Sequence, residues 1–203
     1  MIFDIGAHHG KWTLANYNVS DTFVVVEASP NTFIYTKSAI CRYSNCILLN
    51  TAVGEQSGTI SFYEAAASTV STTNLDWLTK DSYRFKGMKY KETSVPCVTL
   101  DSLIQTYGKP SLIKVDVEGA EYRVIKGLSQ KVDMLCFEWA IEMKTDIIDT
   151  LQYLTSIGFT SFYIQHEDAY TFRPKREKMY NINTCIDMLH TYNKKEWGMI
   201  WCV

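Results

Sequence analysis

Met1-Ile-Phe-Asp-Ile-Gly-Ala-His-His-Gly-Lys-Trp-Thr13 opens the chain, and its reading decides the fold. An apolar strand runs into Asp4, Gly6 and Gly10 and then into a helix. Gly6 lets the chain turn tightly, Gly10 lets the backbone approach a ligand closely, and the helix start presents unpaired N–H groups to a carboxylate. A second apolar strand, Thr22-Phe-Val-Val-Val-Glu27, ends in an acid roughly twenty residues beyond the glycines, where doubly wound folds bond ribose hydroxyls. The loop reads Asp-x-Gly-x-x-x-Gly rather than the Gly-x-Gly-x-x-Gly that cradles a pyrophosphate, so a nucleoside without phosphates fits better than a dinucleotide. A glycine loop alone reads equally as an ordinary strand-to-helix turn. Asp4 and Glu27 tip the balance toward function, because carboxylates at the ends of buried strands are costly unless something bonds to them.

Outward from this loop, apolar runs recur at residues 47–53, 112–117, 134–138, 160–164 and 199–202, and the stretches 34–42, 121–128 and 146–157 have helical length and spacing. Short, fully apolar runs suit strands covered on both faces, which predicts a Rossmann-like, doubly wound α/β sheet, mostly parallel. Gly158 follows the last apolar turn of the 146–157 segment, where a helix stop belongs. Residues 64–93, rich in Ser, Thr and Lys, and 166–183, rich in charge and tyrosine, break the alternation and are candidate covers of a site. No repeat, low-complexity tract or proline-rich linker divides the chain, so residues 1–203 read as one domain. The first residue already lies inside the first strand, which suits either a minimal fold or a domain cut from a longer polypeptide.

Composition narrows the function classes. With 203 residues, 46% of them hydrophobic, the chain can bury a core without disulfides or a structural metal. Its six cysteines show no C-x-x-C pair and no zinc-type spacing, and Cys97, Cys136 and Cys202 in apolar runs read as small buried hydrophobes. Reduced thiols, no membrane span and no signal-type leader predict a soluble, cytoplasmic protein. A net charge of −2 argues against nucleic acid as a partner, and the basic stretches 80–91 and 173–178 read as solvated faces or a substrate rim.

Three blocks carry a family resemblance. They are Phe3-Asp-Ile-Gly-Ala-His-His-Gly10; Val25-Val-Glu-Ala-Ser-Pro-Asn31 with Asn50-Thr-Ala-Val-Gly54; and Thr99-Leu-Asp-Ser-Leu103 followed by Ile113-Lys-Val-Asp-Val-Glu-Gly-Ala-Glu121. Together they resemble the FkbM-type methyltransferases, a branch of the class I fold that uses S-adenosylmethionine. The resemblance implies a sheet with an antiparallel last strand and a cofactor site drawn from Asp4, Gly6, Ala7, His8, Gly10 and Thr13 around the first loop. It further implies Glu27 on the ribose with Ala28 beside it, Ala52 and Val53 flanking the adenine, and Ser68 and Ser71 in a serine-rich stretch that closes over the cofactor. His8 stands where the family has Asn; its imidazole can still donate a hydrogen bond.

Methyl transfer is an in-line displacement at a carbon activated by a sulfonium, so the protein must chiefly align the acceptor oxygen and take its proton. Asp116 closes the fourth core strand and Glu138 the fifth, and such carboxyl ends converge on the ligand crevice of a parallel sheet. Both are candidates for proton removal or acceptor positioning, and their chemistry also suits Mg2+, which would orient a diol and lower its pKa. Lys114, two residues before Asp116, shares its side of the strand and either polarises the pair for catalysis or forms a structural ion pair. Glu118 reads as acceptor-binding or capping, and Glu121 as capping. His166, after the 160–165 strand, is either a base or an exposed loop histidine, and His190 packs or caps. Aromatic side chains with polar tips in the variable segments tilt the acceptor toward a small-molecule or glycan hydroxyl. The alternatives are an NAD-dependent oxidoreductase and a non-catalytic module on the same fold.

Overall fold

The computed structural model describes residues 1–193 and 195–203. Strands are β1 (Ile2–Ile5), β2 (Phe23–Glu27), β3 (Cys46–Asn50), β4 (Ala52–Val53), β5 (Gly58–Ala65), β6 (Tyr90–Val98), β7 (Leu112–Val115), β8 (Leu135–Ala140), β9 (Phe162–His166) and β10 (Trp197–Cys202). Helices are α1 (Lys11–Asn16), α2 (Pro30–Ile40), α3 (Asp76–Thr79), α4 (Leu100–Tyr107), α5 (Glu121–Lys126), α6 (Lys144–Ser156) and α7 (Ile182–Thr191).

The main sheet has seven strands in the order β3-β2-β1-β7-β8-β10-β9. Every pair from β3 to β8 is parallel, and β10 runs antiparallel between β8 and β9. This is the doubly wound sheet with an antiparallel last strand. Strands β1, β2 and β7 are buried at every residue, as the uninterrupted apolar runs require of strands covered on both faces. Cys97, Cys136, Cys185 and Cys202 are buried free thiols. Among the described residues no helix is long and apolar enough to cross a membrane.

Two departures from the sequence reading matter for the site. The apolar run 47–53 is not one strand: β3 stays on the main sheet, while β4 leaves it to pair with β6. The break falls at Thr51, whose buried hydroxyl donates to the Pro96 carbonyl at 2.9 Å. Segment 64–93 also breaks up. Its two ends belong to the antiparallel strands β5 and β6, so only the tip 66–89 projects beyond them. These strands bury one face, with Phe62, Val95 and Cys97 inside, and such half-apolar alternation is weaker in a sequence than a full apolar run.

The topology reverses between β1, which continues to β2 and β3 on one side, and β7, which continues to β8 on the other. A crevice opens at the carboxyl ends of strands at such a point. The glycines shape it by admitting protein rather than by leaving space. Both Gly6 (φ 77°) and Gly10 (φ 74°) are left-handed. A Cβ on Gly6 would overlap the Asp116 carbonyl, and one on Gly10 would overlap the Ile40 side chain of α2. The close approach they permit is thus to β7 and α2.

Replacing Gly6 with Ala is therefore expected to cost about 3 kcal/mol or more, because strain and overlap add. Gly87 is also left-handed (φ 83°) but has nothing within 4 Å of its would-be Cβ, so Gly87→Ala should cost only about 1 kcal/mol. Chemical denaturation of both variants checks the contrast.

Candidate functional site

The site is built on the β1–β7 junction. Lys114 lies on β7 with its side chain buried, and its ammonium bonds to the Gly6 carbonyl at 3.1 Å, Asp4 Oδ1 at 3.2 Å and Asp116 Oδ2 at 3.2 Å. Burial alone would lower its pKa, but Asp116 and Asp4 outweigh that and hold it raised. The second oxygen of Asp4 accepts from Thr13 Oγ1 at 2.6 Å. One cation thus ties the strand below the loop, the loop itself and the acid beyond it. Among the described residues Asp4 Oδ1 has no hydrogen-bond partner and meets only this ammonium.

Above the junction lies a cavity of about 530 Å³. At the Glu27 end the lining includes Gly6, His8 and Ala28, and Ala52, Val53, Ser68 and Ser71 also line the cavity. Glu27 is 7% exposed; its Oε2 accepts from the His8 N–H and its Oε1 from the Ser29 N–H, both at 2.8 Å. Each oxygen retains a second acceptor position. Burial raises the Glu27 pKa to about 7 even with these two bonds. His8 is left-handed (φ 48°), stacks on His9 at 3.9 Å and meets Ser68 Oγ at 3.0 Å through Nε2. Burial, then the neighbouring His9 and Lys11 charges, lowers its pKa to about 4, so the ring is neutral near pH 7. Asp4, Ala7, Gly10 and Thr13 do not line the cavity among the described residues; they set the loop from behind.

The other end is acidic. Asp116, Glu118 and Glu138 each place a carboxylate oxygen within 4.8 Å of the others. Burial first, then the neighbouring carboxylates, pushes Glu118 and Glu138 well above the usual carboxylate range. Glu118 is held in the left-handed region (φ 57°), a costly position for a non-glycine residue and one typical of functional turns. The cover tip fixes it: Trp77 Nε1 donates to Glu118 Oε2 at 3.2 Å, and Asn74 Nδ2 donates to the Gly119 carbonyl at 2.6 Å. Glu121, in the first turn of α5, accepts the Val117 and Gly119 N–H groups and so ties down the turn before the helix.

From the 166–183 segment, Tyr170 is among the polar-tipped aromatics that the sequence reading favoured, whereas Asp168 was not singled out. Asp168 and Tyr170 line the cavity, and burial raises the Asp168 pKa to about 6. Arg173, in the basic stretch read as a solvated face or a substrate rim, lies over the Trp12 and Trp201 rings at 5.3 and 5.1 Å and donates to Asn16 Oδ1 at 2.8 Å. That anchor was legible only in three dimensions, since its partners lie on α1 and β10. His166 is exposed and packs edge-on to Trp139 and Tyr192; among the described residues it is not in the cavity lining. His190 is an exposed residue in the last turn of α7.

Comparison with known proteins agrees with this geometry. The methyltransferase FkbM domain matches residues 4–161. Among solved structures, the precorrin-6y C5,15-methyltransferase of Geobacter metallireducens superposes with a TM-score of 0.52 at 8% identity, covering 100% of this chain and 78% of the other. The precorrin 8W decarboxylase of Methanobacterium thermoautotrophicum gives 0.51 at 10% identity, covering 100% and 80%. These two likenesses show a shared fold. No protein of curated function matches the chain in sequence.

Lys114→Met leaves Asp4 and Asp116 without their cation. The expected loss is about 3–5 kcal/mol of unfolding free energy, measured by denaturant titration. Adding Asp4→Asn to that variant should recover part of it, because one orphaned charge is then gone.

Proposed function

The chain belongs to the FkbM family of methyltransferases, and on that premise we propose that it transfers the methyl group of S-adenosylmethionine to a hydroxyl of a sugar or glycan. The observation that carries this reading is the continuity of one cavity from Glu27 to Asp116 across the β1–β7 junction. A ribose bonded to the free acceptor positions of Glu27 would lay the adenine between Ala52 and Val53. The amino-acid portion would follow the loop past His8. The reacting sulfur would then face the acidic end.

There the chain's own task is alignment and proton removal. Asp116, held by Lys114, would accept the hydroxyl proton, with Glu138 beside it as a second acceptor. The Trp77, Phe85, Tyr170 and Trp197 rings line the same end, and apolar faces beside carboxylates suit the C–H and O–H faces of a sugar. The Asp116, Glu118 and Glu138 oxygens would also hold a magnesium ion, whose contribution would be to lower the pKa of a diol. In this reading residues 1–203 act as one catalytic domain, with the tip 66–89 and the 166–183 segment as its covers.

The direct test is a thermal-shift titration: S-adenosylhomocysteine should raise the melting temperature and NAD should not. A stabilising effect of NAD alone would return the fold to the oxidoreductase class. Glu27→Gln, which keeps the shape and one oxygen, should weaken S-adenosylhomocysteine binding by about tenfold or more, because hydrogen bonds to a charged acceptor contribute about 1.5–3 kcal/mol. In the parent protein the affinity should rise as pH increases through about 7, where Glu27 becomes charged, and calorimetry across that range reads both effects. Asp116→Asn should hold cofactor affinity within about threefold yet remove most turnover on a sugar or glycan panel. Full activity in that variant would remove Asp116 from the chemistry.

A further inference from the structure

Carboxyl groups gather at one end of the cavity, whereas Glu27 at the other is met by two backbone N–H groups. Asp116, Glu118, Glu138 and Asp168 all line it there. The cations nearest to them are already engaged. Lys114 lies beneath Asp116 with Asp4 and the Gly6 carbonyl as its other partners. Arg84, also in the lining, gives both of its short bonds, 2.6 Å each, to Glu142. Among the described residues Glu118 receives one neutral donor, the Trp77 indole, and Glu138 receives no hydrogen bond or ion pair. Carboxylates this close repel one another in a half-buried site, and a ligand with positive charge relieves that repulsion.

The proposed cofactor carries such a charge at its sulfur, the one positive charge that S-adenosylhomocysteine lacks. The wall also stands where that atom would arrive. Gly6 of the cofactor loop packs directly on the Asp116 carbonyl, and Lys114 bonds to both residues, so the loop's end and the wall's beginning are one rigid unit. We infer that Asp116, Glu118 and Glu138 recognise the positive charge of the cofactor's sulfonium, so that the chain holds S-adenosylmethionine in preference to S-adenosylhomocysteine. This rests on the cofactor reading above.

The reaction itself switches the attraction off. The S–CH3 bond breaks with its electron pair remaining on sulfur, an oxygen lone pair of the acceptor forms the new O–CH3 bond, and the hydroxyl proton passes to a wall carboxylate. Sulfur is then neutral and the wall carries one negative charge fewer. Neither partner retains what held them together, and the spent cofactor is free to leave.

The test needs no acceptor. Calorimetry in EDTA measures the affinity of the intact chain for S-adenosylmethionine, for S-adenosylhomocysteine and for the analogue in which a C–NH3+ group replaces the methylsulfonium. Both cationic ligands are expected to bind about tenfold or more tightly than the neutral one, with the margin narrowing at high salt. Glu118→Gln and Glu138→Gln should each shrink the margin by about threefold while neutral-ligand affinity stays within about twofold. Equal affinity for charged and neutral ligands in the parent protein overturns the inference and leaves the cofactor reading standing. A margin that exists only with added magnesium assigns the wall to a metal ion and overturns it as well. Failure of all three ligands to bind removes the cofactor reading and the inference together.

Discussion

A single buried ammonium holds the site together. Lys114 sits where the sheet reverses direction, between Asp4 on β1 and Asp116 just beyond β7. Desolvating a lysine is expensive, and two carboxylates plus a carbonyl are what make its burial tolerable here. The arrangement links two jobs that the chain needs in register. Asp4, through Thr13, sets the start of the loop and of α1, while Asp116 lines the cavity beyond them. Moving the ammonium would displace both.

The sheet was legible because its strands are buried on both faces. Runs such as Phe23-Val-Val-Val and Leu112-Ile-Lys-Val carry few polar residues and leave little room for another reading, and Glu27 and Asp116 stand out against them. The second sheet was harder to see. Strands β5 and β6 are half exposed, and their alternation is diluted by Ser, Thr and Lys on the solvent side. The glycines were legible as turns but not in their purpose. Only the packed structure shows that Gly10 yields to Ile40 and Gly6 to the Asp116 carbonyl.

Asp116 and Glu138 pair in the sequence as neighbouring strand ends, whereas Glu118 and Asp168 join the acidic end only once the chain is folded. Glu118 lies in a turn that also suits a helix cap, and its partner Trp77 is 41 residues away on the cover tip. Asp168 follows His166 by two positions, and the sequence favoured the histidine because its ordinary pKa suits a base. The path of the chain after β9 settles which of the two meets the cavity: His166 turns to Trp139 and Tyr192, and Asp168 faces inward. Arg173 completes that path by clamping the segment to Trp12 and Trp201.

The departure of β4 from the main sheet at Thr51 has a broader implication. Ala52 and Val53 pair with the root of the β5–β6 ribbon, whose far end is the cover tip. The ribbon is therefore a cantilever, clamped at Ala52 and Val53 and projecting at its outer end. Under the proposed function, chains built on this plan would lengthen, shorten or redecorate the outer end to suit another acceptor while the clamped root kept its place beside the cofactor. Substrate range can diversify on such a scaffold without renegotiating the chemistry beneath it.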